Sequence, residues 1–306
     1  MASVAVTGGS GKLGRAVVAD LVAHGHDVVV LDRAAPPPDP AQPPTAGGSG
    51  GGSQSFVRVD LGDYGQVVGA LTGIDERHQG LDAVVHLAAV PAPGLTTNQA
   101  TFTNNVPATY HVFEAARVAG IRRVVWASSE TVLGLPFQTP PPYAPVDEDY
   151  APRPESTYSM GKVLEEELAR QYARWRPDAT FVGLRFSNVM DVADYDAFAS
   201  WQEDPSVRRW NLWGYIDARD GAQAVRLALT ADVVGAEVCV VANADTVMRT
   251  PSRELLAAEF PGVEVRGDVT GTGTLLSIAR ARRVLGYEPQ HSWRDHVLQG
   301  GADGGR

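Results

Sequence analysis

The chain has 306 residues, 44% hydrophobic and 20% charged, and its 26 Lys and Arg against 36 Asp and Glu leave a formal net charge of −10. That length and composition describe a globular protein with a sizeable core, and the acidic balance argues against a nucleic-acid or anionic-membrane surface, which needs a basic patch to neutralise phosphates. One cysteine, Cys239, excludes a disulfide within the chain and argues against a cysteine-based zinc site.

The N-terminal "MASVAVTGG" has no basic leader and runs straight into a strand at 4–7. No apolar run approaches the roughly 20 residues that cross a bilayer, so a cytoplasmic protein is expected. An amphipathic helix at 12–25, ended by Gly25, comes next, followed by strands at 27–32, 56–60, 82–89 and 122–129. A long helix at 98–120 separates the last two, and a helix at 155–175 leads into a sixth strand at 180–186. Short apolar runs alternating with helical periodicity mark a parallel sheet flanked by helices. Residues 34–55, Pro-rich and then Gly/Ser-rich, read as a flexible insertion between the second and third strands. The remainder predicts a helix at 217–230, a strand at 236–242 that buries Cys239, and helices near 251–260 and 277–285. There is no internal repeat.

Residues 7–14, "TGGSGKLG", join the first strand to the first helix and can be read in two registers. Gly9, Gly11 and Gly14 fit G-x-G-x-x-G; Gly8, Gly11 and Gly14 fit G-x-x-G-x-x-G. Either lets the backbone approach a pyrophosphate, whose charge is favoured at a helix N-terminus. Asp32, at the end of the second strand, can bond both ribose hydroxyls of an adenosine and repel a 2′-phosphate, which favours NAD. Lys12 and Arg33 can reach such a phosphate, so NADP stays the alternative. The expected fold is therefore α/β: a doubly wound, parallel-sheet Rossmann domain over 1–186, interleaved with a small α/β substrate-binding part over 187–306.

The second register resembles that of the short-chain dehydrogenases, and this resemblance implies a Tyr-x-x-x-Lys on a later helix and a Ser or Thr at the end of the fifth strand. "YSMGK" supplies Tyr158 and Lys162, and "ASSETVLG" supplies Ser128 and Ser129. An i, i+4 pair shares one helical face. The ammonium stabilises a phenolate and lowers the tyrosine pKa from about 10 towards working pH, which suits a general acid–base group for a hydroxyl or carbonyl. Ser129 is expected to hold the same substrate oxygen. The loop is accordingly read as G-x-x-G-x-x-G.

On these motifs the chain resembles, over nearly its whole length, the extended short-chain dehydrogenase/reductases of the NAD-dependent epimerase/dehydratase family. "NNVPATYHVFEAA", "YIDARDGAQAVRLAL" and "ARRVLGYEP" carry the likeness further. The resemblance implies cofactor contacts at Gly8, Ser10, Gly11, Lys12, Leu13, Gly14, Asp32 and Arg33. It adds Asp60 and Leu61 beside the adenine, then Leu87, Ala88, Ala89 and Asn105, with Tyr158 and Lys162 at the nicotinamide ribose. His86 is expected to be structural, because the family uses the backbone there.

Departures from the pattern bear on the substrate. "SNVMDV" (187–192) lacks the Tyr-Gly-Pro that nucleotide-sugar epimerases carry, and the segment that grips a nucleotide diphosphate is trimmed. "VLG" (132–134) replaces the usual "VYG". A smaller substrate is expected, as in uronate and related sugar dehydrogenases. Those enzymes place an arginine five residues before a tryptophan to pair with a sugar-acid carboxylate, and Arg208 and Trp213 match that spacing. Glu130 stands where that group has a polar amide and would repel a carboxylate, so a neutral sugar or polyol stays open. Ser128 and Asn188 complete the expected substrate contacts. "VDEDY" (146–150) reads as a solvated acidic loop, and no metal is expected. The chain thus reads as an NAD(P)-dependent oxidoreductase of a small sugar-like CH–OH group. The alternative is an NAD-dependent (nucleotide-)sugar epimerase or dehydratase. A homodimer through helices 98–120 and 155–175 is implied by the resemblance, with no nucleic-acid or membrane partner.

Overall fold

The apolar runs at Val4–Val6 and Val28–Leu31 are buried on both faces, which is why these strands are continuous apolar stretches rather than alternating ones. They form β1 (Ser3–Thr7) and β2 (Asp27–Asp32), joined by α1 (Lys12–Ala23). The structure is a computed structural model in which residues 1–36, 52–73 and 80–296 are described. Then come β3 (Gln54–Arg58), α2 (Tyr64–Thr72), β4 (Ala83–His86), α3 (Asn98–Val118), β5 (Arg123–Ser129), the short β6 (Tyr143–Ala144), α4 (Thr157–Trp175) and β7 (Thr180–Phe186). The last third holds β8 (Val189–Met190), α5 (Phe198–Trp201), β9 (Ile216–Asp217), α6 (Ala218–Thr230), β10 (Gly235–Val241), α7 (Ser252–Glu259), β11 (Glu264–Val265) and α8 (Ala279–Leu285).

Seven strands form one parallel sheet in the order β10-β7-β5-β4-β1-β2-β3. The chain winds outwards from β1 to β3, then crosses back and winds the other way from β4. Strand order reverses between β1 and β4, the place where open α/β sheets bind ligands. One core lies between the sheet and α1 and α6, through Val17, Leu21, Val225 and Ala228. The other lies beneath α2, α3 and α4, through Leu71, Val112, Phe113 and Tyr172. This is the doubly wound Rossmann architecture. In the second core a Cβ on Gly183 would lie 2.5 Å from the Trp126 ring, so Gly183 lets that indole lie flat across the sheet. Cys239 is a buried free thiol on β10, pushed up to about 12 by burial.

Several boundaries differ from the sequence expectations for local reasons. α1 stops at Ala23 because Gly25 turns the chain with φ +82°. β3 begins earlier, as Gln54 pairs with Val28, and ends at Arg58 opposite Asp32, the last residue of β2. Of the insertion at 34–55, residues 37–51 lie outside the described residues, whereas 54 and 55 open this strand. α4 begins at Thr157 with Ser156 and Ser159 forming a reciprocal cap. α2 escaped the sequence reading: Asp63 caps it and Gly73 ends it in a left-handed conformation, but Gly65 and Gly69 dilute its periodicity. β10 returns to the central sheet from the C-terminal third. Among the described residues no helix is long and apolar enough to cross a membrane.

Candidate functional site

A cleft of about 910 Å3 opens at the C-terminal ends of β1, β2, β4, β5 and β7, within the size range of small-molecule and cofactor sites. One wall is the turn between β1 and α1. Gly8, Gly11 and Gly14 line it, whereas Gly9 faces the core, where a Cβ would meet Val30 at 2.8 Å. Gly8 has φ +70°, and a Cβ there would lie 2.6 Å from the Ala88 nitrogen; on Gly14 it would lie 2.1 Å from the Gly8 carbonyl oxygen. No side chain caps α1 at Gly11, so its first amides face the cleft with no intrahelical acceptor. That donor set and the absence of Cβ atoms fit a dinucleotide pyrophosphate.

Leu13, Asp32, Leu61, Leu87, Ala88 and Ala89 continue this wall. The Asp32 carboxylate accepts from the Ser10 and Arg33 amides, at 3.1 and 2.7 Å. Lys12 and Arg33 line the cleft too, but both cations are paired, Lys12 with Asp194 and Arg33 with Asp60 at 2.7 Å. Ser10, Asp60 and Asn105 do not line it. Ser10 ties its hydroxyl to the Ala34 carbonyl, and Asn105 clamps Val90 through both ends of its amide, at 2.8 and 3.0 Å. Asn104 reaches the cleft in its place. Both His86 nitrogens bond threonine hydroxyls, of Thr7 at 2.7 Å and Thr109 at 3.0 Å, and burial drops its pKa to about 3.

The facing wall carries Ser129, Tyr158 and Lys162. Lys162 Nζ lies 5.8 Å from the Tyr158 ring centre and donates to the Ala127 carbonyl at 2.9 Å and to Glu165 at 2.8 Å. Burial pulls the ammonium down, but Glu165 and Tyr158 outweigh it and hold the lysine above its ordinary value. Ser129 accepts from the Thr131 amide and hydroxyl at 3.2 and 3.0 Å, which leaves its own hydrogen to donate to the Tyr158 oxygen. Burial drives the Tyr158 phenol above its usual range, and Lys162 and Ser129 offset only part of that. The expectation of a lowered tyrosine is corrected: desolvation by burial outweighs the ammonium. Ser128 also reaches the cleft, but its hydroxyl donates to Glu166 at 2.6 Å, and Arg185 holds the same carboxylate through two bonds at 2.9 and 2.8 Å.

On the substrate side, Glu130 and Asn188 line the cleft and Arg208 does not. Glu130 is 2% exposed and accepts from Ser187 at 2.5 Å and Asn211 at 3.1 Å. Arg208 is sandwiched between Trp201 and Trp210 and donates to Asn188 at 2.9 Å and to the Gly214 carbonyl at 3.1 Å. Trp213 is a core residue whose indole N–H donates to Pro205 at 2.8 Å. The acidic loop at 146–150 is not simply solvated. Glu148 accepts from the Val240 amide at 2.6 Å, and Arg280 bridges Glu148 and Asp149 at 3.5 and 2.7 Å. Among the described residues no three His, Cys, Asp or Glu side chains gather to hold a metal.

Sequence reasoning missed Glu165, Glu166, Arg185, Asn211 and Trp210. A signal existed for the first three. Glu165 and Glu166 stand at i+3 and i+4 from Lys162, on its helical face, and Arg185 sits within an otherwise apolar strand. Asn211 and Trp210 belong to a short 3-10 helix, Pro205–Asn211, that carries no amphipathic period in the sequence.

The sequence profile described as "NAD dependent epimerase/dehydratase family" matches residues 4–242. The chain is 31% identical over 248 residues to the L-arabinose 1-dehydrogenase (NAD(P)(+)) of Haloferax volcanii, across 78% of this chain and 87% of that enzyme. It is 30% identical over 216 residues to the UDP-glucose 4-epimerase of Erwinia amylovora; that match spans 70% of this chain but 60% of the epimerase. Among solved structures, MoeE5 in complex with UDP-glucuronic acid and NAD superposes with a TM-score of 0.66 at 26% identity, covering 97% of this chain and 96% of that one.

Proposed function

Because the chain belongs to the NAD dependent epimerase/dehydratase family, we propose that it is an NAD(P)-dependent oxidoreductase. It oxidises a CH–OH group of a small sugar or sugar acid, or reduces the matching carbonyl. The observation that carries this reading is the convergence of Ser129, Tyr158 and Lys162 on one wall of a cleft whose opposite wall is the glycine turn.

The nicotinamide, when bound, supplies the hydride acceptor or donor. In oxidation the ionised Tyr158 phenolate takes the hydroxyl proton and becomes the phenol; in reduction the phenol gives its proton to the carbonyl oxygen and becomes the phenolate. Lys162, kept cationic by Glu165, stabilises the phenolate that takes up this proton in oxidation and is left behind in reduction, and Ser129 donates its hydrogen to the substrate oxygen. Gly8, Gly11, Gly14 and the α1 N-terminus hold the pyrophosphate, and Asp32 takes the adenosine ribose. The existing pairing of Lys12 and Arg33 supports NAD over NADP, because neither cation is free for a 2′-phosphate.

Residues 187–306 supply the substrate side, a reading supported by Ser187, Asn188, Val189 and Trp210 at the cleft. The protein works as a homodimer through α3 and α4. Tyr110 and Val118 on α3 and Met160 and Leu164 on α4 are large apolar residues left exposed at helical spacing, which supports that pairing.

The test is reduction of saturating NAD, and separately NADP, by free aldoses, uronic acids and polyols. Reduced cofactor is expected, with a loss of about 10²- to 10⁴-fold or more in Tyr158→Phe. A second reading, epimerisation of a nucleotide sugar, is favoured by the Erwinia relative. It takes over if no substrate gives net reduction while NAD co-purifies and UDP-hexoses are interconverted.

A further inference from the structure

Resting on the oxidoreductase reading above, we propose that Glu130 and Asn188 form a subsite for an uncharged polyhydroxy substrate and refuse the corresponding sugar acid. Glu130 accepts from one substrate hydroxyl, and the Asn188 amide nitrogen donates to another.

Arg208 is the residue whose spacing matches a carboxylate-binding arginine, and its surroundings remove it from that task. It is 6% exposed, held between the faces of Trp201 and Trp210 at 4.7 and 5.0 Å. Both terminal nitrogens already donate, to Asn188 and to Gly214, and its Nε–H is buried with no partner. To meet a carboxylate in the cleft it would have to leave two aromatic faces and two hydrogen bonds.

Arg208 acts instead through its neighbour. A guanidinium only donates, so the Asn188 oxygen must face it, and the NH2 end of that amide is turned away from it. Asn188 lines the cleft, so its free polar end is a donor suited to a hydroxyl oxygen.

Glu130 completes the subsite with the opposite character. Its oxygens accept three bonds from the protein, from the Ser187 hydroxyl, the Asn211 side chain and the Asn188 backbone amide, and of the roughly four lone-pair sites of a carboxylate one is left. A sugar hydroxyl has a proton to give that lone pair. A sugar carboxylate has none and sets a second negative charge beside the first. The frame around the subsite is preorganised. Asn211 and Arg208 both donate to the Gly214 carbonyl, where Leu212 and Trp213 take left-handed conformations with φ of 54° and 58°. At Gly214 a Cβ would crowd the Ser187 hydroxyl at 3.0 Å, the group that holds Glu130.

The experiment is isothermal titration at about pH 8.5, above the titration of Glu130 so that its carboxylate is ionised, of the NADH-loaded full chain with matched pairs that differ only at one carbon. D-Galactose is compared with D-galacturonate, and D-glucose with D-glucuronate, in wild type, Glu130→Gln and Asn188→Ala. The wild type should bind at least one neutral sugar about 100-fold more tightly than its acid. Glu130→Gln should shrink that ratio at least tenfold by gaining affinity for the acid, and Asn188→Ala should lose neutral-sugar affinity about tenfold. Equal or tighter binding of the acids by the wild type, no binding of either class, or an unchanged ratio in a folded Glu130→Gln overturns the inference. The wild-type comparison stands even where a variant fails to fold. A protein that binds neutral sugars in this way yet oxidises none overturns the oxidoreductase reading and leaves the subsite standing. One that oxidises uronates in preference does the reverse.

Discussion

Glu130 sits among Ser187, Asn211 and Arg208, and burial lifts its carboxyl from 4.5 to about 7. A raised carboxyl favours the protonated folded state, so its contribution to stability is complete below about 4.5 and is lost as pH rises through about 7. Glu130→Gln removes that loss. Chemical denaturation should therefore show the variant gaining on the wild type between pH 5 and pH 8, by on the order of 3 kcal/mol for such a shift. A stability difference that is the same at both pH values would mean that Glu130 does not titrate in this range. Tyr158 and Lys162 could be read from the sequence because their relation is an i, i+4 spacing on one helix. The environment that raises the Tyr158 phenol could not, because it comes from the closure of the whole cleft over the side chain. Arg208 shows the same limit. Its spacing to Trp213 was visible, but Asn188, Trp201 and Gly214 meet its guanidinium only after folding.

Among the elements, α4 has two faces with different duties. Tyr158, Lys162, Glu165 and Glu166 face the cleft and the sheet, and Met160 and Leu164 are left exposed. Replacing Leu164 with Glu puts a charge into the apolar face that is proposed to meet a second copy. Sedimentation should show a dimer for the wild type and a monomer for the variant, with helical content unchanged. A dimeric Leu164→Glu would place the interface elsewhere. Long elements of strong period, such as α4 and β7, were legible almost to the residue. α2 was not, because two glycines interrupt its apolar pattern, and the short pairs β6–β11 and β8–β9 were not, because strands of two residues carry no period.

For the molecule as a whole, cofactor binding must appear as added stability, since the cleft exists only when the β1 turn, β4, β5 and α4 are assembled. A ligand at 100 times its dissociation constant adds about 2.7 kcal/mol, which raises the melting temperature by at least a few degrees. NAD should raise it more than NADP at equal concentration, because Asp32 opposes a 2′-phosphate and the nearby cations are already paired. Equal shifts would count against that role for Asp32.

The sequence by itself determined the alternation of strands and helices, the glycine turn after β1, and the Ser129, Tyr158 and Lys162 set, because each is written in neighbours or in helical spacing. It left open which glycine faces the cleft, and the tertiary structure decided this by setting Gly9 against Val30 and Gly8 against Ala88. Folding also decided what surrounds the proposed substrate. Glu130, Ser187, Asn188, Arg208 and Asn211 come from segments up to 81 residues apart, as in the bond from Asn211 to Glu130. Whether a buried charge is spent on the protein or left for a ligand depends on every group that closes around it, and those groups meet only in the folded chain.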